Sequence, residues 1–178
     1  MVSSWKKISS KVVYKSPYFE VRRDKVINPN GENSIYHLVD VVGAVAIVAL
    51  DAQNRIYLLR EEKYLPGVIW TVPAGKIEKN DKNFLASAKR ELKEEAGLTA
   101  KKWVNLGRFL AGPGHSTGVG YCFLAQDLKE GKQDLDPTER IEIIKVPFQK
   151  AVAMIKKGEI LDAWAIIPIF KTKLHLSL

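Results

Sequence analysis

Spaced apolar positions divide the chain into an opening run of strand-like stretches, one strongly periodic helix, further strands and two closing helices. Lys11 to Lys15, Tyr18 to Ile27 and Ser34 to Asp40 cluster or alternate β-branched and aromatic residues, as half-buried strands do. Ser16-Pro17 and Asn28-Pro29-Asn30-Gly31 separate them with turn chemistry. This predicts a small antiparallel meander, marginal by itself and expected to pack on something. Val41 to Leu50 is almost wholly apolar, the pattern of a strand covered on both faces. Asp51 to Asn54 turns the chain, and Arg55 to Arg60 is expected to pair back as a hairpin partner. Glu61 to Thr71 carries Pro66-Gly67 and reads as a loop before a strand at Ile69 to Val72. Pro73-Ala74-Gly75 then bends the chain, since proline lacks a donor and glycine tolerates unusual dihedrals.

A helix is predicted from Asn83, a good N-cap, with Leu85, Ala88, Leu92 and Ala96 as its apolar stripe and Gly97 as its stop. Trp103 to Leu110, Gly118 to Leu128 and Arg140 to Val146 read as strands. They are separated by the loop Ala111 to His115 and by the polar loop Lys129 to Thr138. Phe148 to Lys157 has helical spacing and a stop at Gly158. Leu161 to Leu174 is a last helix capped by Asp162, in which Pro168 predicts a kink or an early end. Strands alternating with helices give an α/β class: an α/β/α sandwich, a mixed sheet with helices on both faces. It is preceded by the small antiparallel sheet. The expected division is residues 1–40 for the meander and 41–178 for the main domain.

Composition narrows the class without changing it. The 178 residues can bury a full core, and 46% hydrophobic with 27% charged residues is ordinary for a globular chain. No apolar run approaches the roughly 18 residues that span a bilayer. Met1 to Ser10 holds no apolar signal core, so secretion is not expected. The single cysteine, Cys122, excludes an internal disulfide and a cysteine-based zinc cage, and its neighbours Tyr121 and Phe123 predict a buried structural thiol. A cytoplasmic setting is the expectation. The net charge of +8 can steer anionic ligands, but the lysines are scattered in pairs rather than gathered in a block. Nucleic acid is therefore not the expected partner.

The chemistry concentrates at Arg90-Glu91-Leu92-Lys93-Glu94-Glu95. At about 100° per residue, Glu91, Glu94 and Glu95 share one helical face. Like charges so spaced repel by a few tenths of a kcal/mol per pair. Either the face is simply solvated, or a cation sits there. A hard divalent ion such as Mg²⁺ is suitable, because such ions take oxygen ligands and bridge carboxylates to phosphates.

Val72-Pro73-Ala74-Gly75, a loop, and then Arg90-Glu91-Leu92-x-Glu94-Glu95-x-Gly97-Leu98 resembles the signature of the Nudix hydrolases, which cleave nucleoside diphosphates linked to another moiety. The run from Arg90 to Leu98 matches at every specified position. Two departures precede it. Asp81 stands where the family has its first glutamate, and eight residues rather than seven separate it from Arg90. The resemblance covers nearly all of residues 41–178. It implies that Glu91 and Glu95 hold a divalent metal (Mg²⁺, or Mn²⁺), that Glu94 contributes directly or through water, and that the Ala74 carbonyl completes the shell. Arg90 would orient the glutamates.

Pro113, fifteen residues beyond Leu98, resembles the marker of the branch acting on ADP-ribose and other nucleoside diphosphate sugars, although Gly112-Pro113-Gly114 can equally be a turn. In that branch an N-terminal sheet helps to build a homodimer. Gly75, Pro113 and Lys63 are the substrate-binding candidates. Lys63 closes Arg60-Glu61-Glu62-Lys63, which stands where the branch tends to have Arg-Gln-Tyr-Arg. Lysine cannot make arginine's bidentate fork to phosphate. Thr71, where the branch usually has glutamate, departs as well. Glu139, in the loop before the penultimate strand, is the candidate general base. His115 reads as a turn residue, His37 as part of a strand and His175 as tail.

Three functions follow from the resemblance. The first is metal-dependent hydrolysis of a nucleoside diphosphate sugar to two monophosphates. The second is the same chemistry on a nucleoside triphosphate or dinucleotide. The third is a silent nucleotide or RNA sensor on this fold.

Overall fold

The computed structural model of the chain describes residues 4–178, so the first three residues of the stretch read for a signal core lie outside the described part. The chain forms two units. One comprises the N-terminal residues through Gly43 together with Leu110–Val119, and the other comprises Ala44–Phe109 and Gly120–Leu178.

In the first unit, strands β1 (Lys6–Lys15), β2 (Phe19–Ile27) and β3 (Asn33–Val41) pair in that order as an antiparallel sheet. The Asn28–Gly31 turn closes through the Asn28 side chain, which accepts from Asn30 and Glu32. Segment 110–119 bridges the end of β3: Val39 donates to the His115 carbonyl, and the Thr117 hydroxyl donates to Asp40. Arg22 lies between Asp24 and Asp40 at 3.0 and 2.6 Å.

The second unit is organised by β4 (Ala44–Ala49), whose side chains alternate between two cores as period 2 demands. Ala46 and Val48 join Phe148, Val152 and Ile169, from helices α2 (Phe148–Lys156) and α3 (Ala163–Leu176). Val45, Ile47 and Ala49 face Ala88, Leu92 and Ala96 of helix α1 (Phe84–Ala96). Strands β5 (Arg55–Lys63) and β9 (Val119–Glu130) alternate in the same way, with Leu58 and Leu124 on one side and Leu59 and Phe123 on the other. Helices therefore cover both faces, the α/β sandwich anticipated. Cys122 is buried.

The strands make two sheets rather than one. Strand β4 lies between β7 (Ala74–Lys76), antiparallel to it, and β9, parallel to it, with β8 (Leu98–Leu110) outermost. Strand β5 lies between β10 (Ile141–Pro147) and β6 (Gly67–Thr71), antiparallel to both. This corrects the expected β4–β5 hairpin. After the turn at Asp51, only Leu50 and Ile56 form a bridge, and β5 enters the other sheet. The hairpin is formed instead by β5 and β6, across Tyr64-Leu65-Pro66, so Glu61 and Lys63 belong to a strand and not to a loop. The last helix, Ala163–Leu176, continues through Pro168 with no early end there, and takes up His175. Among the described residues no helix is long and apolar enough to cross a membrane.

Candidate metal and diphosphate site

Helix α1 begins as its sequence requires. The Asn83 side chain accepts from the Ala86 N–H at 2.9 Å, and Gly97 ends the helix in the left-handed conformation at φ 61°. Burying Ala88, Leu92 and Ala96 fixes the rotation of the helix. That rotation carries Glu91 and Glu95 to the margin of the core, 8% and 5% exposed, against strand β7. The Ala74 N–H donates to Glu95 Oε2 at 2.8 Å. Gly75 is needed for a reason other than its dihedral freedom. A Cβ built on it would lie 2.2 Å from the Glu91 carboxyl carbon, so only glycine lets that carboxylate rest on the strand.

Arg90 holds the acidic face from the side. Its Nη1 donates to Glu91 Oε1 at 2.7 Å and to Glu94 Oε2 at 3.0 Å. Nη2 donates to the Lys76 carbonyl at 2.8 Å and to Asp81 Oδ2 at 3.1 Å, and Nε reaches Asp81 Oδ1 at 3.4 Å. All five guanidinium donors are thereby used. The hydrogen bond from Arg90 pulls Asp81 down to about 2. Burial pushes Glu91 up to about 7 against the pull of Arg90. Burial likewise pushes Glu95 up to about 9, with repulsion from Glu91, Glu61 and Glu139 adding to it.

The loop before β10 is fastened to the end of the same helix. Gly131 donates to the Gly97 carbonyl, the Gln133 side chain to the Glu95 carbonyl and the Asp134 N–H to the Glu94 carbonyl, at 2.7, 2.6 and 2.9 Å. Glu139, which accepts from the Asp136 N–H at 3.0 Å, is thus brought over the acidic face. Lys63, Ala74, Gly75, Arg90, Glu91, Glu94, Glu95 and Glu139 all line one cavity of about 480 Å³. A second, mainly apolar cavity of about 610 Å³ adjoins it, sharing Lys63, Ala74 and Gly75 and adding Leu65, Ile69, Thr71 and Trp164.

Pro113 and His115 lie in the 110–119 segment of the other unit. His37 pairs with Arg23 in the small sheet. Two further neighbours of the site carry no role in the sequence reading. Glu61 is 4% exposed and ion-paired with Lys63. Asp81, at the position of the family's first glutamate, is bound by Arg90 through both Nε and Nη2.

Among the described residues, no three His, Cys, Asp or Glu side chains already converge as a ready ion cage. The donor chemistry nonetheless fits a hard divalent cation. Two buried carboxylates are held against their own ionisation, and Arg90 engages only one oxygen each of Glu91 and Glu94.

Residues 41–164 match the NUDIX domain, and residues 5–39 match the nucleoside diphosphate sugar hydrolase N-terminal domain. The chain is 32% identical over 161 residues to an ADP-ribose pyrophosphatase of Bacillus subtilis, covering 89% of this chain and 86% of that protein. It is 32% identical over 162 residues to an ADP-ribose pyrophosphatase of Mycobacterium tuberculosis, covering 89% and 78%. With a methanol dehydrogenase activator of Bacillus methanolicus it shares 30% identity over 97% of its own length and 95% of the other's. Among solved structures, an ADP compounds hydrolase superposes with a TM-score of 0.87 at 20% identity, covering 99% of this chain and 96% of that one, a likeness of fold. Hydrolases of this family generally use a divalent metal. With the intact run from Arg90 to Leu98 folded around one acidic cavity, the chain belongs to the Nudix hydrolases, in the branch of the nucleoside diphosphate sugar pyrophosphatases.

Proposed function

We propose that this Nudix hydrolase adds water across the diphosphate of a nucleoside diphosphate sugar such as ADP-ribose, releasing two monophosphates. The observation that carries the reading is the convergence of Arg90, Glu91, Glu94, Glu95 and Glu139 on one cavity. The diphosphate repels an incoming nucleophile, so the reaction needs charge neutralisation, an oriented water and a base. A divalent ion, Mg²⁺ or Mn²⁺, supplies charge neutralisation and acidifies water when bound. Glu91 and Glu95 would hold it, with Glu94 and the Ala74 backbone beside them. Arg90 keeps Glu91 and Glu94 oriented, and Glu139 takes the proton of the attacking water. Lys63 offers its ammonium to a phosphate at the wall shared by the two cavities. The apolar cavity takes the less polar part of the substrate.

The N-terminal sheet is read as a pairing surface for a second copy. In support, β1 is exposed along all ten residues, and Ile8, Val12, Val13 and Tyr14 are among its exposed apolar side chains. Sedimentation of the purified chain tests this, and a monomer at high concentration would refute it.

The hydrolase reading is tested by incubating the protein with ADP-ribose and Mg²⁺ or Mn²⁺ and separating the products. AMP and ribose 5-phosphate in equal amounts are expected. Inorganic pyrophosphate released from a triphosphate, with ADP-ribose left intact, would reassign the substrate. Inactivity across a nucleotide panel would favour the sensor.

A further inference from the structure

Asp81 sits at the position where the family pattern breaks twice, with a shorter acid and one additional residue before Arg90. It is well fixed. Its N–H donates to the Glu78 carbonyl at 3.1 Å, its Oδ2 accepts from the Glu78 N–H at 2.9 Å, and its side chain is only 9% exposed. From there it grips one edge of the Arg90 guanidinium through Nε and Nη2; the Lys76 carbonyl takes the other Nη2 hydrogen, and Nη1 is left for the helix.

We propose that Asp81 is a positioning residue for the reaction. It diverts Arg90 so that one oxygen each of Glu91 and Glu94 stays clear of the guanidinium, and its shorter side chain is matched to the extra residue behind it. The inference rests on the hydrolase reading above.

An arginine faced by several carboxylates chooses the bidentate fork wherever geometry allows one. With Asp81 holding the Nε–Nη2 edge and the Lys76 carbonyl taking the other Nη2 hydrogen, a fork onto Glu91 is blocked, and Glu91 and Glu94 receive a single N–H each. Without that grip the guanidinium is free to turn and close on the helix carboxylates, competing for the oxygens that a divalent cation needs. The two departures compensate each other. Aspartate falls short of glutamate by one methylene, and one extra residue supplies up to about 3.4 Å of chain to bring its backbone closer. Lys82 lies between Asp81 and the Asn83 cap, where added length costs little.

The test is a Mn²⁺ titration of the substrate-free protein, read by the paramagnetic resonance of the unbound ion, alongside kcat and KM for ADP-ribose at saturating metal. Asp81→Asn is expected to weaken Mn²⁺ binding about tenfold and to lower kcat by a similar factor, with KM within about twofold. Asp81→Glu alone should show much of the same loss. Asp81→Glu combined with deletion of Lys82 should recover Mn²⁺ binding to within about threefold of the parent. A purely structural role would lower Tm and leave the Mn²⁺ affinity well below Tm unchanged. Parental Mn²⁺ affinity in Asp81→Asn, or in Asp81→Glu without the deletion, would overturn the proposal. If Asp81→Asn fails to fold, the two glutamate variants decide. A parent chain that binds Mn²⁺ but hydrolyses nothing refutes the hydrolase reading and leaves the comparison of affinities to judge Asp81. A parent that binds no Mn²⁺ sinks both.

Discussion

Two arginines, one in each unit, sit among carboxylates, and their surroundings end in opposite electrostatic states. Arg22 lies between Asp24 and Asp40 in the N-terminal sheet. There the hydrogen bonds from Arg22 and Thr117 hold Asp40 below the usual carboxylate range. Arg90 lies among Asp81, Glu91 and Glu94, with Glu95 on the next turn and beyond its hydrogen bonds. Asp81 is pulled down, while Glu91 and Glu95 are pushed up by burial. A single positive charge satisfies the first cluster and is too little for the second. Carboxylates kept buried without enough positive charge work against folding, and such groups gather where chemistry is done. The Arg22 cluster reads as architecture. The Arg90 cluster reads as a site whose donors suit a further cation.

The sharpest way to break this contrast is Glu95→Gln. Glutamine keeps an oxygen for the Ala74 N–H and removes the carboxylate whose ionisation burial opposes most. Turnover of ADP-ribose should fall by about 100-fold or more while Tm stays nearly unchanged, since no cation partner inside the protein is orphaned. Steady-state kinetics with a thermal melt measures both. Unaltered turnover would remove Glu95 from the metal role.

Gly75→Ala comes next. The added methyl falls on the Glu91 carboxyl, which is the far end of a flexible side chain, so Glu91 can yield without unfolding the strand. The expectation is a loss of about 10- to 100-fold in kcat with a small change in Tm. A collapse of Tm with normal kcat in the surviving fold would mean that the close approach serves packing alone.

How much of this could be read in the sequence depended on how local the cause was. The helix from Asn83 to Gly97 was legible because its cap, its apolar stripe and its stop all lie within one stretch. Gly75 was singled out, but for its dihedral freedom. Its actual constraint is a carboxylate from sixteen positions further on, which no local rule reports. The hairpin expected after Leu50 failed for a related reason. The turn signal at Asp51–Asn54 was sound, but β4 takes its parallel partner from Gly120–Ala125, and pairing over that separation is decided by burial of both faces. Glu61 and Lys63 were lost to a loop because Pro66-Gly67 read as an interruption, whereas it is the turn of a hairpin, with Gly67 at φ 72°. Asp81 kept the spacing from Gly75 but not that to Arg90, and its bond to Arg90 depends on the conformation of a loop.

The smallest expected effect lies on the architectural side. Arg22→Leu leaves Asp24, 5% exposed, with the Ser10 hydroxyl as its remaining side-chain partner, and takes from Asp40 its main cation. The cost in stability at pH 7 should be about 1–2 kcal/mol, discounted because Asp40 is partly exposed to solvent. Its sign with pH follows from Asp40. A carboxyl whose folded pKa is lowered contributes stability above its unfolded value near 4, and that contribution is lost as pH falls through the folded value. The difference in Tm between Arg22→Leu and the parent should therefore narrow from pH 7 towards pH 3, and Mn²⁺ affinity should stay at the parental level throughout the neutral range. A stability difference that holds steady down to pH 3 would mean that Arg22 acts through its aliphatic stem and not its charge, and the electrostatic comparison of the two arginines would fail on that side.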